Sequence, residues 1–185
     1  MYQGVAEMEI RKAERGEEQE ILALYEDLIV RMRGSEYRPT WEKGVYPVMS
    51  DIRSAVEAGT MFIAREGGTV AAAVICNHRQ GEGYERVRWN VEASGREVSV
   101  IHLLAVRPEL HNRGIGERLL RYVIDVCRED GVRAVRLDTL PWNRPGRRLY
   151  EKTGFVYCGE TRLAYPPAGE IPFSMYEYSL DPEDR

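Results

Sequence analysis

The segment that most constrains this chain is LLAVRPELHNRGIGERLL, which begins at Leu103. An apolar run feeds a short turn containing Gly114 and Gly116, and an amphipathic pattern opens at once. Ile115, Leu119, Val123 and Cys127 recur at helical spacing on one stripe. The reading is a buried strand, Val98–Val106, a turn, and a helix over 114–129. The free N–H groups of the first helical turn point back into the loop, and the helix dipole adds positive potential there. Such an end binds phosphate or pyrophosphate, and glycine lets the backbone approach the anion closely. A strand and helix joined this way belong to a layered sheet-and-helix fold.

The rest of the chain supplies the layers. Residues 5–13 alternate as an opening strand. From Gly16, Ile21, Leu24, Leu28 and Met32 recur at helix spacing, with acids in the first turn, until Gly34. Segment 35–49 is dense in aromatics. Ser50 reads as the N-cap of a helix over 51–58 that Gly59 closes. Strands over 60–65 and Thr69–Asn77 form a hairpin through Glu66, Gly67 and Gly68. Residues 78–96 are polar and irregular. A strand over 132–139, a helix over 143–153 ended by Gly154, and strands over 155–158 and 173–180 follow. The tail, DPEDR, reads as solvated. The expected fold class is α/β (α+β): a mixed, mostly antiparallel sheet of six to seven strands with helices on both faces.

Composition narrows the functional classes. The chain has 185 residues, 43% of them hydrophobic and 30% charged, which fits one globular domain over 1–185 with its core over 5–180. A formal charge of −4 disfavours a dedicated nucleic-acid binder. Cys76, Cys127 and Cys158 are scattered and odd in number, so neither a disulfide framework nor a metal site is expected. No apolar run approaches the roughly 20 residues of a membrane span, and the N-terminus lacks an apolar signal core. The expectation is a cytoplasmic protein with no nucleic-acid partner, no membrane and no metal.

Three kinds of phosphate-binding segment compete for the glycine pair. No GxxxxGK[ST] loop is present. A dinucleotide fingerprint needs GxGxxG directly after its strand, and here the turn is too long and the last glycine is missing. The third pattern is (Q/R)xxGxG/A after a strand ending in LxVxP. The run quoted above resembles that motif of the GCN5-related N-acetyltransferase (GNAT) family, with His111 where Gln or Arg is usual. Downstream, Asn143 is followed by Tyr150 and then by EKTGF, which resembles the family's second signature in spacing. TWEKGVYP, followed by a helix and a hairpin, resembles the N-terminal half of bacterial members. The likeness covers most of residues 5–180.

The resemblance implies a sheet splayed between its fourth and fifth strands, with acetyl-CoA as cosubstrate in the gap. It implies that backbone groups of Leu104, Ala105 and Val106 pair with the pantetheine arm. Amides around His111, Asn112, Arg113, Gly114, Ile115 and Gly116 are expected to hold the pyrophosphate. Asn143 is expected beside the pantetheine. Arg147, on the helical face of Asn143 and Tyr150, is expected to face either a CoA phosphate or solvent. An N–H near Val106 is the candidate oxyanion donor. Tyr150 occupies the position of the family's acid, and a phenol with pKa about 10 is protonated at neutral pH. His102 is the first candidate base, with Glu85 and Asp138 behind it. Trp41, Tyr46 and Trp89, with Tyr84, flank the acceptor side.

The activity so implied is acetyl transfer to the primary amine of a small molecule or amino acid. A silent CoA-binding or regulatory module and a protein N-terminal or lysine acetyltransferase are the alternatives. The protein is expected to be a monomer or homodimer, with 173–180 the strand that pairs across a dimer in some relatives.

Overall fold

A computed structural model describes residues 8–165 and 169–181. Its strands are β1 (Met8–Lys12), β2 (Met61–Glu66), β3 (Thr69–Asn77), β4 (Val98–Val106), β5 (Ala134–Thr139), β6 (Val156–Tyr165) and β7 (Gly169–Ser179). Its helices are α1 (Glu18–Met32), α2 (Met49–Glu57), α3 (Ile115–Glu129) and α4 (Arg144–Thr153). Among the described residues the sheet runs β1-β2-β3-β4-β5-β7-β6. The β4–β5 pair is parallel, whereas β1–β2, β2–β3, β5–β7 and β6–β7 are antiparallel. This is the mixed, mostly antiparallel sheet expected. The start of the opening strand, 5–7, and the end of the tail, 182–185, lie outside the described residues.

The chain divides into two compact units. The first draws on residues 8–34, 40–75 and 103–122, and the second on 35–39, 76–102 and the stretch from 123 onward. β3, β4 and α3 each contribute to both.

In the first unit, α1 and α2 bury Ile21, Leu24, Tyr25, Leu28, Ile52 and Val56 in one cluster with Met61, Ile63, Ala73 and Ile75. Successive strand residues face opposite ways, so Phe62 points to the other side. There its ring meets Tyr122 of α3 edge-on at 6.3 Å. Helices therefore cover both faces. The start of α2 corrects the expected Ser50 cap. Val48 is the N-cap, and the Asp51 carboxylate accepts the Val48 N–H at 2.9 Å. Aspartate at the third helical position reaches back, so Ser50 lies within the first turn.

In the second unit, β5 and β7 pair with Arg136 opposite Glu177, Leu137 opposite Tyr176 and Asp138 opposite Met175. Tyr150 of α4 contacts Tyr176, and Phe155 contacts Tyr178, so α4 covers the Leu137–Tyr176 face. The segment between β3 and β4 lies on the other face, where Tyr84 clusters with Val98, Val100, Phe173 and Met175. β6 and β7 are longer than expected, because their pairing continues from Val156 opposite Glu177 to Tyr165 opposite Gly169. β7 lies between β5 and β6, so both its edges are paired and the outer strand on this side is β6.

Cys76 and Cys127 are far apart in sequence, yet their buried sulfurs lie 3.6 Å apart as free thiols. No helix among the described residues is long and apolar enough to cross a membrane.

Candidate active site

In the first unit, the segment from Leu103 to Tyr122 is one continuous feature. The parallel pairing of β4 with β5 ends at Ile101 opposite Leu137, which is consistent with the expected splay. Two residues later Leu103 adopts φ +53. That conformation is costly for a branched side chain and needs outside support. The Leu103 carbonyl accepts a 2.7 Å hydrogen bond from Tyr25, a fully buried residue of α1. Beyond the bend, Leu104 and Val106 are half-buried and Ala105 is buried.

The turn that follows is exposed from His111 to Gly114. The His111 ring folds back onto the Val106 carbonyl, 3.0 Å from Nε2. Asn112 and Gly114 have φ of +62 and +76, and nothing stands within 4 Å of where a Cβ on Gly114 would be. Arg113 is tied to Glu66 at 2.9 Å. The first bond closing the helix runs from the Arg118 N–H to the Gly114 carbonyl at 3.0 Å. The N–H groups of Ile115 and Gly116 therefore precede the helix's own ladder, beside an open, exposed turn. Such a helix end fits a phosphate group. Of the expected acceptor residues in this unit, Trp41 packs edge-on against Tyr25 at 5.7 Å. Tyr46 is 38% exposed.

In the second unit, Asn143 caps α4. Its Oδ1 accepts the Gly146 N–H at 3.1 Å and its Nδ2 donates to Thr139 Oγ1 at 3.0 Å. A Cβ on Gly146 would sit 2.4 Å from Asn143 Nδ2, so this cap requires glycine there. Arg147 donates to Tyr176 Oη at 2.9 Å and to the Pro141 carbonyl at 3.1 Å, and its guanidinium stands over the Tyr157 ring. Its guanidinium is thus engaged by β7, β6 and the loop before α4. Tyr150 is 7% exposed and its hydroxyl has no hydrogen-bond partner among the described residues. Burial, and then the charge of Asp138, hold its phenol well above the ordinary tyrosine range. It is a protonated, uncommitted donor.

His102 is half-buried with Nε2 3.2 Å from Asn77 Oδ1, and burial pulls its pKa down to about 4. It is neutral at pH 7 and a weaker base than an ordinary histidine. Asp138 accepts a 2.7 Å hydrogen bond from Tyr84, and withdrawal from solvent raises its pKa. Trp89 donates from Nε1 to the Tyr84 carbonyl at 2.9 Å and stacks under the Arg136 guanidinium at 4.4 Å. Arg136 is itself buried and bonded to Glu177 at 2.8 Å. Gln80, Glu82, Tyr84, Glu85, Trp89 and Arg136 line most of an open cavity of about 450 Å³.

A sequence profile of the acetyltransferase (GNAT) family matches residues 26–155. The chain belongs to this family. An N-alpha-acetyltransferase RimI of Mycobacterium tuberculosis is 37% identical over 82 residues, covering 44% of this chain and 50% of that protein. A streptothricin acetyltransferase of Streptomyces lavendulae is 31% identical over 74 residues, covering 40% and 39%. The chain thus spans half or less of the length of these GNAT relatives. A GNAT-family acetyltransferase structure from Streptococcus agalactiae superposes with a TM-score of 0.78 at 20% identity, covering 98% of both chains. A Salmonella typhimurium protein solved with its cofactor acetyl-CoA gives a TM-score of 0.70 at 16% identity, covering 95% of both chains.

Sequence reasoning gave no sign of Tyr25 as the support of the Leu103 carbonyl, nor of Tyr84 as the partner of Asp138. A buried tyrosine on a helix carries no sequence mark of the carbonyl it serves. The pairing of Tyr84 with Asp138 spans 54 positions.

Proposed function

We propose that the protein transfers the acetyl group of acetyl-CoA to a primary amine of a small molecule or amino acid. The carrying observation is the exposed turn at His111–Gly114, which opens onto helix N–H groups that precede their own ladder, in a chain of the GNAT family. The two units are read as parts of one acetyltransferase domain.

Acetyl-CoA supplies the activated acetyl group as a thioester. The amides of Ile115 and Gly116, with the turn before them, are assigned to its pyrophosphate, because a helix start concentrates N–H donors and positive potential. Backbone groups of Leu104, Ala105 and Val106 are assigned to the pantetheine arm, pairing as an added strand does. Asn143, the N-cap of α4, and Arg147, within α4, are assigned to cofactor binding. Tyr150 delivers its hydroxyl proton to the departing sulfur, a role its burial and free hydroxyl suit. His102 is a proton acceptor weakened by burial. Trp41, Tyr46 and Trp89 are assigned to the acceptor side. The protein is read as a cytoplasmic monomer or homodimer.

A second reading, acetylation of a protein N-terminus, is supported by the relative named as an N-alpha-acetyltransferase. Thiol release from acetyl-CoA, followed with polyamines, free amino acids and a peptide with N-terminal alanine, separates the two. Turnover of the free amines supports the first, and turnover confined to the peptide supports the second. Tight acetyl-CoA binding with no thiol release from any acceptor points to a silent module. Gly116→Trp is expected to weaken acetyl-CoA binding at least tenfold by filling the phosphate seat, as read by calorimetry. Unchanged affinity rejects that assignment.

A further inference from the structure

We propose that Tyr84 and Asp138 form the proton-accepting pair of this acetyl transfer, and that the open cavity walled by Tyr84 admits the acceptor's ammonium group. This rests on the acetyltransferase reading above.

One tyrosine of the second unit bonds the Asp138 carboxylate, and a second feels its charge. Tyr84 donates its hydroxyl to Asp138 Oδ2 at 2.7 Å, and Tyr150 stands in the field of the same carboxylate. Asp138 is half-buried, so it is neither freely hydrated nor sealed. Tyr84 also walls the cavity of about 450 Å³. The cavity is built for a cation. Glu82 and Glu85 stand exposed on it, and Tyr84 and Trp89 supply aromatic faces. Glu82 has no ion pair among the described residues, while Glu85 accepts the Gly83 N–H and faces Arg86 at 3.7 Å. The cation in the wall, Arg136, is neutralised by Glu177.

An amine with pKa about 10 arrives as ammonium and must lose a proton before its nitrogen can attack. One N–H bond of the ammonium breaks. Its proton passes to Tyr84 Oη as the hydroxyl proton of Tyr84 passes to Asp138 Oδ2. In going from ammonium to amide, nitrogen sheds two protons and sulfur takes up one. Tyr150 supplies the proton for sulfur and is recharged from water, Asp138 and the nitrogen each give a proton to water, and one surplus proton is released in all. The steps are electrostatically linked: once Asp138 is protonated, Tyr150 no longer faces an anion and parts with its proton more readily.

The titratable and charged groups around Asp138 are few. Tyr84 comes from the segment between β3 and β4, and Arg136, bound to Glu177 of β7, is on its own strand. Tyr150 comes from α4, and the register partner on β7, Met175, is uncharged. The Tyr84 hydrogen bond lowers the carboxyl pKa and burial raises it, with burial the larger.

The test is kcat/KM against pH for the full chain with the best amine of the panel, in wild type, Asp138→Asn and Tyr84→Phe. Asp138→Asn is expected to lose about 100-fold and the acid limb with it, while the KM for acetyl-CoA holds. Tyr84→Phe is expected to lose about tenfold and keep an acid limb moved to higher pH, because the carboxylate loses a stabilising donor. A merely structural role moves neither limb. If Asp138→Asn does not fold by circular dichroism, Tyr84→Phe decides alone. Turnover by wild type with both acid limbs unchanged overturns the pair but not the acetyltransferase reading. Absence of thiol release by wild type with every amine overturns both.

Discussion

Tyr150, packed on the sheet from α4, and Arg136 of β5 illustrate how the two faces of the sheet carry different chemistry. Tyr150 packs on the Tyr176 face of the sheet, where its phenol is kept protonated. Replacing it with Phe leaves the ring packing and removes the proton. The expected result is a fall in kcat of about 100-fold or more, with acetyl-CoA KM changed little, read by thiol release. Arg136 lies on the opposite face, bonded to Glu177, Gln80 and the Val91 carbonyl, with its guanidinium stacked on Trp89. Glu177 in turn accepts the N–H groups of Asn90 and Val91, so the pair anchors the segment between β3 and β4 to the sheet. Arg136→Met strands Glu177 as a buried, unpaired carboxylate. A loss of about 3–5 kcal/mol is expected in urea unfolding.

Among the elements, β4 is the most instructive. Its apolar composition marks it as a central strand, and the glycine turn and helix after it were legible for the same reason: local pattern and local chemistry coincide there. The left-handed conformation at Leu103 was not legible, because leucine gives no warning of it. The bend is held by Tyr25, 78 positions away. Tyr25→Phe is expected to cost about 1–2 kcal/mol in thermal unfolding, as the Leu103 carbonyl loses its partner. The same distance effect explains the lengths of β6 and β7, whose ends are set by pairing with each other rather than by their own composition. The start of α2 shifted because two good capping residues, Ser50 and Asp51, stand side by side and only the backbone path chooses between them. Aromatic density marks Trp41 and Trp89 in the sequence, but not their neighbours: Trp41 meets Tyr25 edge-on, and Trp89 both carries the Arg136 guanidinium and lines the open cavity.

For the whole molecule, the net charge of −4 describes less than the arrangement of charges does. Glu17 is bonded to Arg11 at 2.8 Å and to Arg65 at 2.9 Å, tying the end of β1, the start of α1 and β2 together. Arg11, the larger influence, holds its carboxyl below the ordinary range, so this stabilisation is present above about pH 4.5 and is lost as pH falls through the lower folded value. His102 acts in a neighbouring window. Its folded pKa of about 4 lies below the ordinary 6.5, so between these values the unfolded chain takes up a proton that the folded chain refuses. Stability therefore falls as pH drops through that window, by roughly 2–3 kcal/mol after allowance for partial exposure. His102→Asn is expected to flatten the difference between urea midpoints measured at about pH 7 and about pH 5. Asp138, with its raised pKa, works in the opposite sense and gains stability on protonation.

The chain passes between its two compact units at residues 34/35, 39/40, 75/76, 102/103 and 122/123. Each unit is thus assembled from non-contiguous stretches. Neither corresponds to a piece of gene that can be cloned on its own, and a single proteolytic nick releases neither intact. Truncation from either end removes parts of a unit whose remaining pieces have no continuous chain of their own. Partial loss of this sequence is consequently expected to act as all-or-none loss.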